Sequence, residues 1–253
     1  MMKRVAERIE GNKKRLDQSA LMMFVQDANV DPRRRFGFVP CMAPFVMGFS
    51  DVNKYGLRDE QSADPTQQII NTHSQEDDHH WGMYLKDLRT LGANTQMDLN
   101  GALRLLWGDD RQATRQTIYK LMGLIEDTSP AVRLAVVEAI EATGDVAFTR
   151  FSDLANEFEK ATGNTLCYFG ALHKDLESGH AMGTEDIEGK LQTIELTPEQ
   201  EAEAMGLVDE VFELFHRMFD EWMEYAQKHQ PDAGAAVRVR TVNKRSTAVA
   251  APA

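Results

Sequence analysis

The sequence predicts an all-α protein, and three observations support this fold class. Apolar residues recur at intervals of three and four along most of the chain, most clearly between residues 208 and 226. No pair of segments shows the apolar alternation of paired strands. The same start signal, a capping residue followed by proline, precedes three helical segments: Asp64-Pro65, Ser129-Pro130 and Thr197-Pro198. We therefore predict a single bundle of about seven core helices.

The first half of the chain divides into a charged arm and three predicted helices. Residues 1–12 are highly charged, so we expect an arm or a frayed helix ahead of a domain that covers residues 13–230. Apolar spacing predicts helices over residues 13–29, 40–55 and 65–91. The helix at 40–55 is apolar almost all round, which indicates burial, either as plain core packing or as the wall of a ligand cavity.

The second half follows the same pattern. We predict helices over 98–108, 111–126, 130–142 and 146–162, with Gly163 as the stop signal of the last. The segment from Asn164 onward leads into residues 173–180, and Pro198 opens the final long helix. Residues 231–253 show no periodicity, and we expect a disordered tail.

Composition excludes several classes of protein. The chain has 253 residues, 42% of them hydrophobic, which is ample for a core. Its net charge of −12 argues against a general nucleic-acid binder. The two cysteines, Cys41 and Cys167, form no CxxC pattern and suit a reducing cytosol rather than a disulfide framework. We find no signal peptide and no run of about 18 apolar residues, so we expect a cytoplasmic protein that does not enter the membrane.

Candidate metal ligands lie at helical spacing near residue 173. His173, Glu177 and His180 occupy positions i, i+4 and i+7, which places them within about 40° of one line along a helix. Two imidazoles and a carboxylate on one line suit a first-row metal ion. The alternative is a solvated helix face that happens to be polar.

Two upstream helices carry further candidates. Glu76 and His79 form an ExxH pair whose side chains can reach one ion. His80 is assigned to the surroundings of the site, and His73 becomes a candidate only in a different helix register. Glu138 lies on a helix with apolar flanks, where a buried carboxylate is costly unless it is paired or bound to metal. Alternatively, Glu138 lies at a helix edge beside a basic residue.

Taken together, these six residues suggest a two-metal site. Mixed oxygen and nitrogen ligation suits iron or manganese, and six protein ligands suit two ions better than one. A ferritin-like di-iron bundle would need a further glutamate upstream of the first ExxH. The chain offers only Asp51 near a helix end and Glu60 in a loop, and this pattern leaves His173 unexplained.

The set Glu76-x-x-His79, Glu138 and His173-x3-Glu177-x2-His180 resembles the ligand set of the heme-oxygenase-like di-iron oxidases, also described as iron-containing redox enzymes. The resemblance covers roughly residues 35–225. One departure is Glu177, where many members of that family have aspartate, which has a shorter side chain.

The resemblance implies a heme-oxygenase-like fold without heme, in which these six residues hold two Fe(II) ions and O2 is the co-substrate. It further implies an oxidase or oxygenase that acts on a small amine, amino acid or carboxylic acid, by N-oxygenation or oxidative C–C cleavage. Members commonly serve natural-product metabolism and form homodimers. We expect the apolar wall from Phe38 to Phe49, with Trp81 and Tyr84, to keep water from the site. Arg33, Arg34 or Arg35 could pair with a substrate carboxylate.

Two other functions stay open at this point. One is a cofactor-free or thiamine-type enzyme of the same helical superfamily, which would not need six metal ligands. The other is a non-enzymatic helical protein that binds a metal or a ligand. A metal assay separates the first alternative from the di-iron enzyme.

Overall fold

The computed structural model describes residues 2–173 and 194–229, and within these residues the chain forms helices and no strand. The all-α prediction is therefore confirmed. Glu177, His180 and the predicted tail lie outside the described residues. No helix in the described parts combines the length and the apolar character needed to cross a bilayer.

The described residues contain the following helices in chain order. The first half contains α1 (Met2–Leu16), α2 (Ala20–Val25), α3 (Pro32–Arg35), a 3-10 turn (Val39–Met42), α4 (Ala43–Asp51) with a π-helical continuation (Val52–Leu57), α5 (Pro65–Asp77) and α6 (Trp81–Thr90). The second half contains α7 (Leu99–Trp107), a 3-10 turn (Asp109–Arg111), α8 (Gln112–Ile125), α9 (Pro130–Thr162) and α10 (Pro198–Lys228).

The predicted start signals act as helix caps. The Asp64 carboxylate accepts hydrogen bonds from the amides of Thr66 and Gln67 at the start of α5. Ser129 caps α9, and Thr197 caps α10 in a reciprocal capping box with Gln200. These side chains satisfy amides that have no partner within the helix, which is why the sequence signals place these starts correctly.

The two longest helices, α9 and α10, pack on each other and organise the core. Helices α1, α2 and α8 pack on α10, and α5 packs on α9. A cluster of buried aromatic rings joins the layers: the Phe38 ring stacks on Phe151 at 5.2 Å and on Trp222 at 6.0 Å between ring centroids. Large buried rings of this kind contribute much of the apolar area that stabilises such a core.

The segment predicted as an arm belongs largely to α1. Met2, Val5 and Ile9 are buried at helical spacing, so α1 has an apolar stripe that its many charges obscure in the sequence. Two of those charges are used in packing, because Arg4 pairs with Glu201 and Arg8 pairs with Asp209 on α10.

The helix predicted over residues 65–91 is two helices, because a turn at residues 78–80 separates α5 from α6. Side chains from neighbouring segments bind the backbone at this point. The Ser50 hydroxyl donates to the Asp78 carbonyl at 2.7 Å, and Arg58 donates to the Ser74 carbonyl at 2.8 Å. The turn directs His80 away from the regular path of α5.

Conversely, the two helices predicted over 130–142 and 146–162 form the single 33-residue helix α9. Gly144 lies near its middle and costs about 1 kcal/mol relative to alanine in a helix interior. Burial on both sides of Gly144, at Thr143 and Val146, outweighs this cost.

Candidate metal centre

A cavity with a volume of about 80 Å³ lies between α4, the α5–α6 turn, α9 and α10. This space exceeds the roughly 10–15 Å³ that one water molecule needs. Aromatic and aliphatic side chains form most of its lining. Met42, Phe45, Val46 and Phe49 line one side, so of the two roles considered for residues 40–55, plain core packing and the wall of a cavity, the second describes these four side chains.

A cluster of acidic and imidazole groups lies at one end of this cavity. The His73 Nε2 atom is 3.3 Å from Asp77 Oδ2 and 3.1 Å from Glu141 Oε1. One ligand atom from each of the three residues lies within 4.8 Å of the other two. The side chains of His73 and Asp77 are only 1% and 4% exposed, and Glu141 is partly buried.

These separations suit a shared metal ion. Ligand atoms placed about 2.0–2.2 Å from one ion are roughly 3.0–3.5 Å apart at octahedral or tetrahedral angles. The two measured distances from His73 Nε2 fall within this range. Imidazole and carboxylate donors are also the types that first-row divalent metals take. The donor types and these two distances therefore fit a metal ion.

A second pair of imidazoles adjoins the first group. The His80 Nδ1 atom is 3.1 Å from His173 Nε2 and 3.9 Å from Asp77 Oδ1. Asp77 thus faces the first group with Oδ2 and the imidazole pair with Oδ1. The Asp77 carboxylate therefore lies between two donor sets, His73 with Glu141 on one side and His80 with His173 on the other.

Aromatic contacts hold His173 in place. Its ring stacks on Tyr168 at 4.7 Å and meets the edge of Phe148 at 4.4 Å between centroids. Asp87 on α6 binds the backbone just before His173. Its carboxylate accepts hydrogen bonds from the amides of Cys167 (2.7 Å), Tyr168 (2.8 Å) and Phe169 (3.1 Å). Burial raises the pKa of the Asp87 carboxyl group, and these amide donors oppose that shift.

Of the six predicted ligands, the structure brings His173 into this cluster. His79 is 70% exposed and lies beside Asp78, with 3.3 Å between Nδ1 and Oδ1. Glu76 is partly buried, and Glu138 is partly buried with its Oε1 atom in the interior. None of these three belongs to the group formed by His73, Asp77 and Glu141. Glu177 and His180 lie outside the described residues.

The difference on α5 is one of helix register. His73 and Asp77 lie about 40° apart around the helix axis, whereas Glu76 lies about 60° from His73 in the other direction. His79 falls beyond the end of α5, in the turn. The sequence made His73 a candidate ligand only in a different helix register. In the structure, α5 packs on α9 in that register.

Asp77 and Glu141 were missed, although the sequence holds a signal for Asp77. The spacing His73-x3-Asp77-x2-His80 repeats that of His173-x3-Glu177-x2-His180. Both runs therefore match one H-x3-[DE]-x2-H pattern. Glu141 follows Glu138 by three residues, so only the orientation of α9 decides which carboxylate meets His73.

The three arginines considered as partners of a substrate carboxylate do not lie at the cavity. The buried Arg35 guanidinium donates to the Val25 carbonyl at 2.9 Å and pairs with Glu157. Arg33 pairs with Asp31, and none of Arg33, Arg34 and Arg35 lines the cavity. Trp81 does line it, whereas the Tyr84 hydroxyl donates to the Val39 carbonyl at 2.8 Å, outside the cavity.

No protein-family model matches the chain, and no curated protein is significantly similar to it.

Proposed function

We propose that this protein is a metal-dependent oxidase or oxygenase whose centre is built on His73, Asp77 and Glu141, with His80 and His173 beside them. The observation that carries the proposal is the position of this cluster. Five residues with ligand-type atoms, from the α5–α6 region, α9 and the segment after Asn164, converge at the end of an apolar cavity. Such a convergence of polar groups in an otherwise apolar pocket is the usual form of an active site.

The donor types support iron as the metal. Mixed imidazole and carboxylate ligation suits iron or manganese. The two donor sets around Asp77 are compatible with a pair of ions, in keeping with the two Fe(II) ions that the resemblance to the heme-oxygenase-like di-iron oxidases implies. Bound iron would supply the capacity to activate O2.

The residues of the chain provide the surroundings for that chemistry. Phe148 and Tyr168 fix the ring of His173, so this imidazole is oriented before anything binds. The aromatic lining gives water few polar partners in the space in front of the cluster. A small organic molecule in the cavity would lie directly against the metal-binding end. The proposed reaction is oxygenation or oxidative cleavage of a small amine, amino acid or carboxylic acid.

A second function is favoured by one feature of the same geometry. The same short distances would arise if His73 formed a structural ion pair with Asp77 and Glu141 and no metal were bound. The protein would then be a non-enzymatic binding protein. The metal-binding proposal and this alternative differ in what happens when divalent metal is added.

The test is an anaerobic Fe(II) titration of the wild type, His73→Ala and His79→Ala. We expect the wild type to bind iron specifically and His73→Ala to lose at least about tenfold in affinity, because loss of even an outer partner of a metal ligand commonly costs that much. His79→Ala is the matched control, since this exposed histidine lies on a neighbouring turn, and it should bind like the wild type. The proposal fails if the wild type binds no iron, or if the two variants behave alike.

A further inference from the structure

A stripe of polar side chains on α5 binds the segment that precedes this helix. The stripe consists of Gln67, Asn71, Ser74 and Asp78. Their spacing places them within about 60° of one another around the helix axis. The Gln67 side chain donates to the Leu57 carbonyl at 2.8 Å. The Asn71 side chain accepts from the Asp59 amide at 2.9 Å and donates to the Asp59 carbonyl at 2.8 Å. Because a buried polar group needs a hydrogen-bond partner, these contacts favour one rotation of α5.

The stripe and the metal cluster occupy different sides of α5. His73 and Asp77 lie roughly 110° around the helix from the stripe. The face that carries them turns toward α9, where Glu141 Oε1 is 3.1 Å from His73 Nε2. The stripe can therefore fix the rotation of the helix without supplying a metal ligand.

Arg58 joins the last turn of α5 to the turn that follows it. Its guanidinium donates to the Ser74 hydroxyl at 3.1 Å, to the Ser74 carbonyl at 2.8 Å and to the Asp78 carboxylate at 2.9 Å. The side chains of Arg58 and Asp78 are only 15% and 17% exposed. Hydrogen bonds between charged groups are stronger than neutral ones, and a planar guanidinium holds its partners in a fixed geometry. These contacts therefore fix the position of Asp78 relative to the last turn of α5.

Asp78 lies between two residues of the metal cluster along the chain. It directly follows Asp77 and precedes His80 by two residues. His80 belongs to the turn rather than to α5, and its Nδ1 atom is 3.1 Å from His173 Nε2. Metal–ligand distances stay within about 0.2 Å of their usual values. The course of this turn therefore decides whether His80 can serve as a ligand.

We propose that Arg58 is a positioning residue of the metal centre. By binding Ser74 and Asp78, Arg58 holds the turn after α5, and this turn directs His80 toward His173. Arg58 acts through these residues alone, because a guanidinium has hydrogen-bond donors and no acceptor atom and does not bind a metal ion itself. The inference rests on the proposed function, since it assigns His80 to the metal centre.

The experiment measures Fe(II) affinity by anaerobic calorimetry on the full chain. We expect Arg58→Gln to bind Fe(II) about tenfold more weakly than the wild type, at the lower end of the effect of removing an outer partner of a metal ligand. Arg58→Lys should lose less, because an ammonium group still reaches one of the two acceptor residues but does not match the fork of a guanidinium. Asp78→Asn breaks the same ion pair from the other side and should weaken binding in the same way as Arg58→Gln.

A double-mutant cycle separates positioning from a general loss of stability. If Arg58 acts by placing His80, Arg58→Gln combined with His80→Ala should bind Fe(II) as weakly as His80→Ala alone, within about twofold. Independent effects would instead multiply. Arg150→Gln is the matched control, since this arginine also donates to a carboxylate of another segment, that of Asp17, and it should bind Fe(II) like the wild type. Thermal melting shows whether each variant is folded, and Asp78→Asn replaces Arg58→Gln in the cycle if the latter does not fold.

The outcomes separate the two proposals. If the wild type takes up no Fe(II), the proposed function fails, and this inference fails with it. If the wild type binds Fe(II) but Arg58→Gln and Asp78→Asn bind it equally well, only the positioning role of Arg58 is overturned. The same holds if the effects of Arg58→Gln and His80→Ala multiply, or if His80→Ala binds like the wild type.

Discussion

Asp87 is a buried carboxylate whose three amide donors join α6 to the segment that carries His173. The same segment contains Gly170, where a β-carbon would lie 2.2 Å from the Leu166 carbonyl oxygen. Asp87 and Gly170 determine the course of the backbone that leads to His173. Neither contributes a ligand atom. A backbone bend this tight excludes any other residue at position 170, and the amide donors at 167–169 need an acceptor because they lie in the interior.

We predict that Asp87→Ala lowers the free energy of unfolding by several kcal/mol, since each buried amide left without an acceptor costs about 1–3 kcal/mol. Asp87→Asn keeps one acceptor oxygen and should lose less. Urea denaturation measures the difference, with Asp109→Ala at an exposed position as the control. A loss below about 0.5 kcal/mol for Asp87→Ala, as for an ordinary surface change, would show that these hydrogen bonds do not hold the segment.

At the scale of elements, charged pairs fix how the outer helices sit on the long central ones. The Arg150 guanidinium on α9 donates to both carboxylate oxygens of Asp17, just after α1, at 2.8 and 2.7 Å. Arg8 pairs with Asp209 in a similar two-point contact between α1 and α10. These two-point contacts restrict rotation of α1 more than single contacts would.

The Asp17–Arg150 pair leads to a prediction about pH. The Arg150 guanidinium holds the pKa of Asp17 below its usual value of 3.8 in the folded protein. Stability from this pair is therefore present above the unfolded pKa and is lost as pH falls through the folded one. We expect Arg150→Gln to be less stable than wild type at pH 7 by at most about 1 kcal/mol, because the pair is about a third exposed and is screened by solvent.

The check is a series of urea denaturation curves from pH 7 down to pH 2. The difference between Arg150→Gln and wild type should shrink as pH drops below about 4. Arg217→Gln is the control, since Arg217 pairs with Glu213 on the exposed face of one helix. A difference that stays constant across the whole range would mean that Arg150 stabilises the protein through packing rather than through the carboxylate.

At the scale of the whole molecule, the two cysteines differ in how far their side chains are buried. Cys41 is fully buried in the core, and its thiol lies 3.7 Å from the Asp110 carbonyl oxygen. Burial raises the pKa of the Cys41 thiol to about 12, with the Glu221 carboxylate adding to the shift. Cys167 is partly exposed, and the two cysteines do not form a disulfide.

We therefore predict that one thiol per native chain reacts with a disulfide reagent at pH 8. The thiolate is the reactive form, and Cys41 has almost none at that pH. Unfolding in guanidinium should expose the second thiol. Cys167→Ser should show no rapid reaction in the native state, and rapid labelling of that variant would mean that the core around Cys41 opens readily.

Several features follow from local sequence alone because their causes are local. The capping residues Asp64, Ser129 and Thr197 satisfy amides of their own helices, and Gly163 adopts the left-handed conformation, with φ of 73°, that ends α9. The apolar stripe of α10 likewise predicted burial, whereas the all-round apolar character of residues 40–55 left core packing and a cavity wall open, and Met47 and Tyr55 of this segment are exposed. His173 was predicted as a metal ligand because its segment pairs histidine with acid at helical spacing, and the structure places it beside His80.

Other features depended on partners distant in sequence. Whether Gly144 interrupts α9 was decided by burial on either side of it, and the end of α5 was decided by Ser50 and Arg58 from other segments. The choice between Glu76 with His79 and His73 with Asp77 corresponds to a rotation of about 110° around the axis of α5. Spacing within one helix limits which residues share a face, but only packing against α9 selects the face that turns inward, because that choice depends on the total burial of all the helices together.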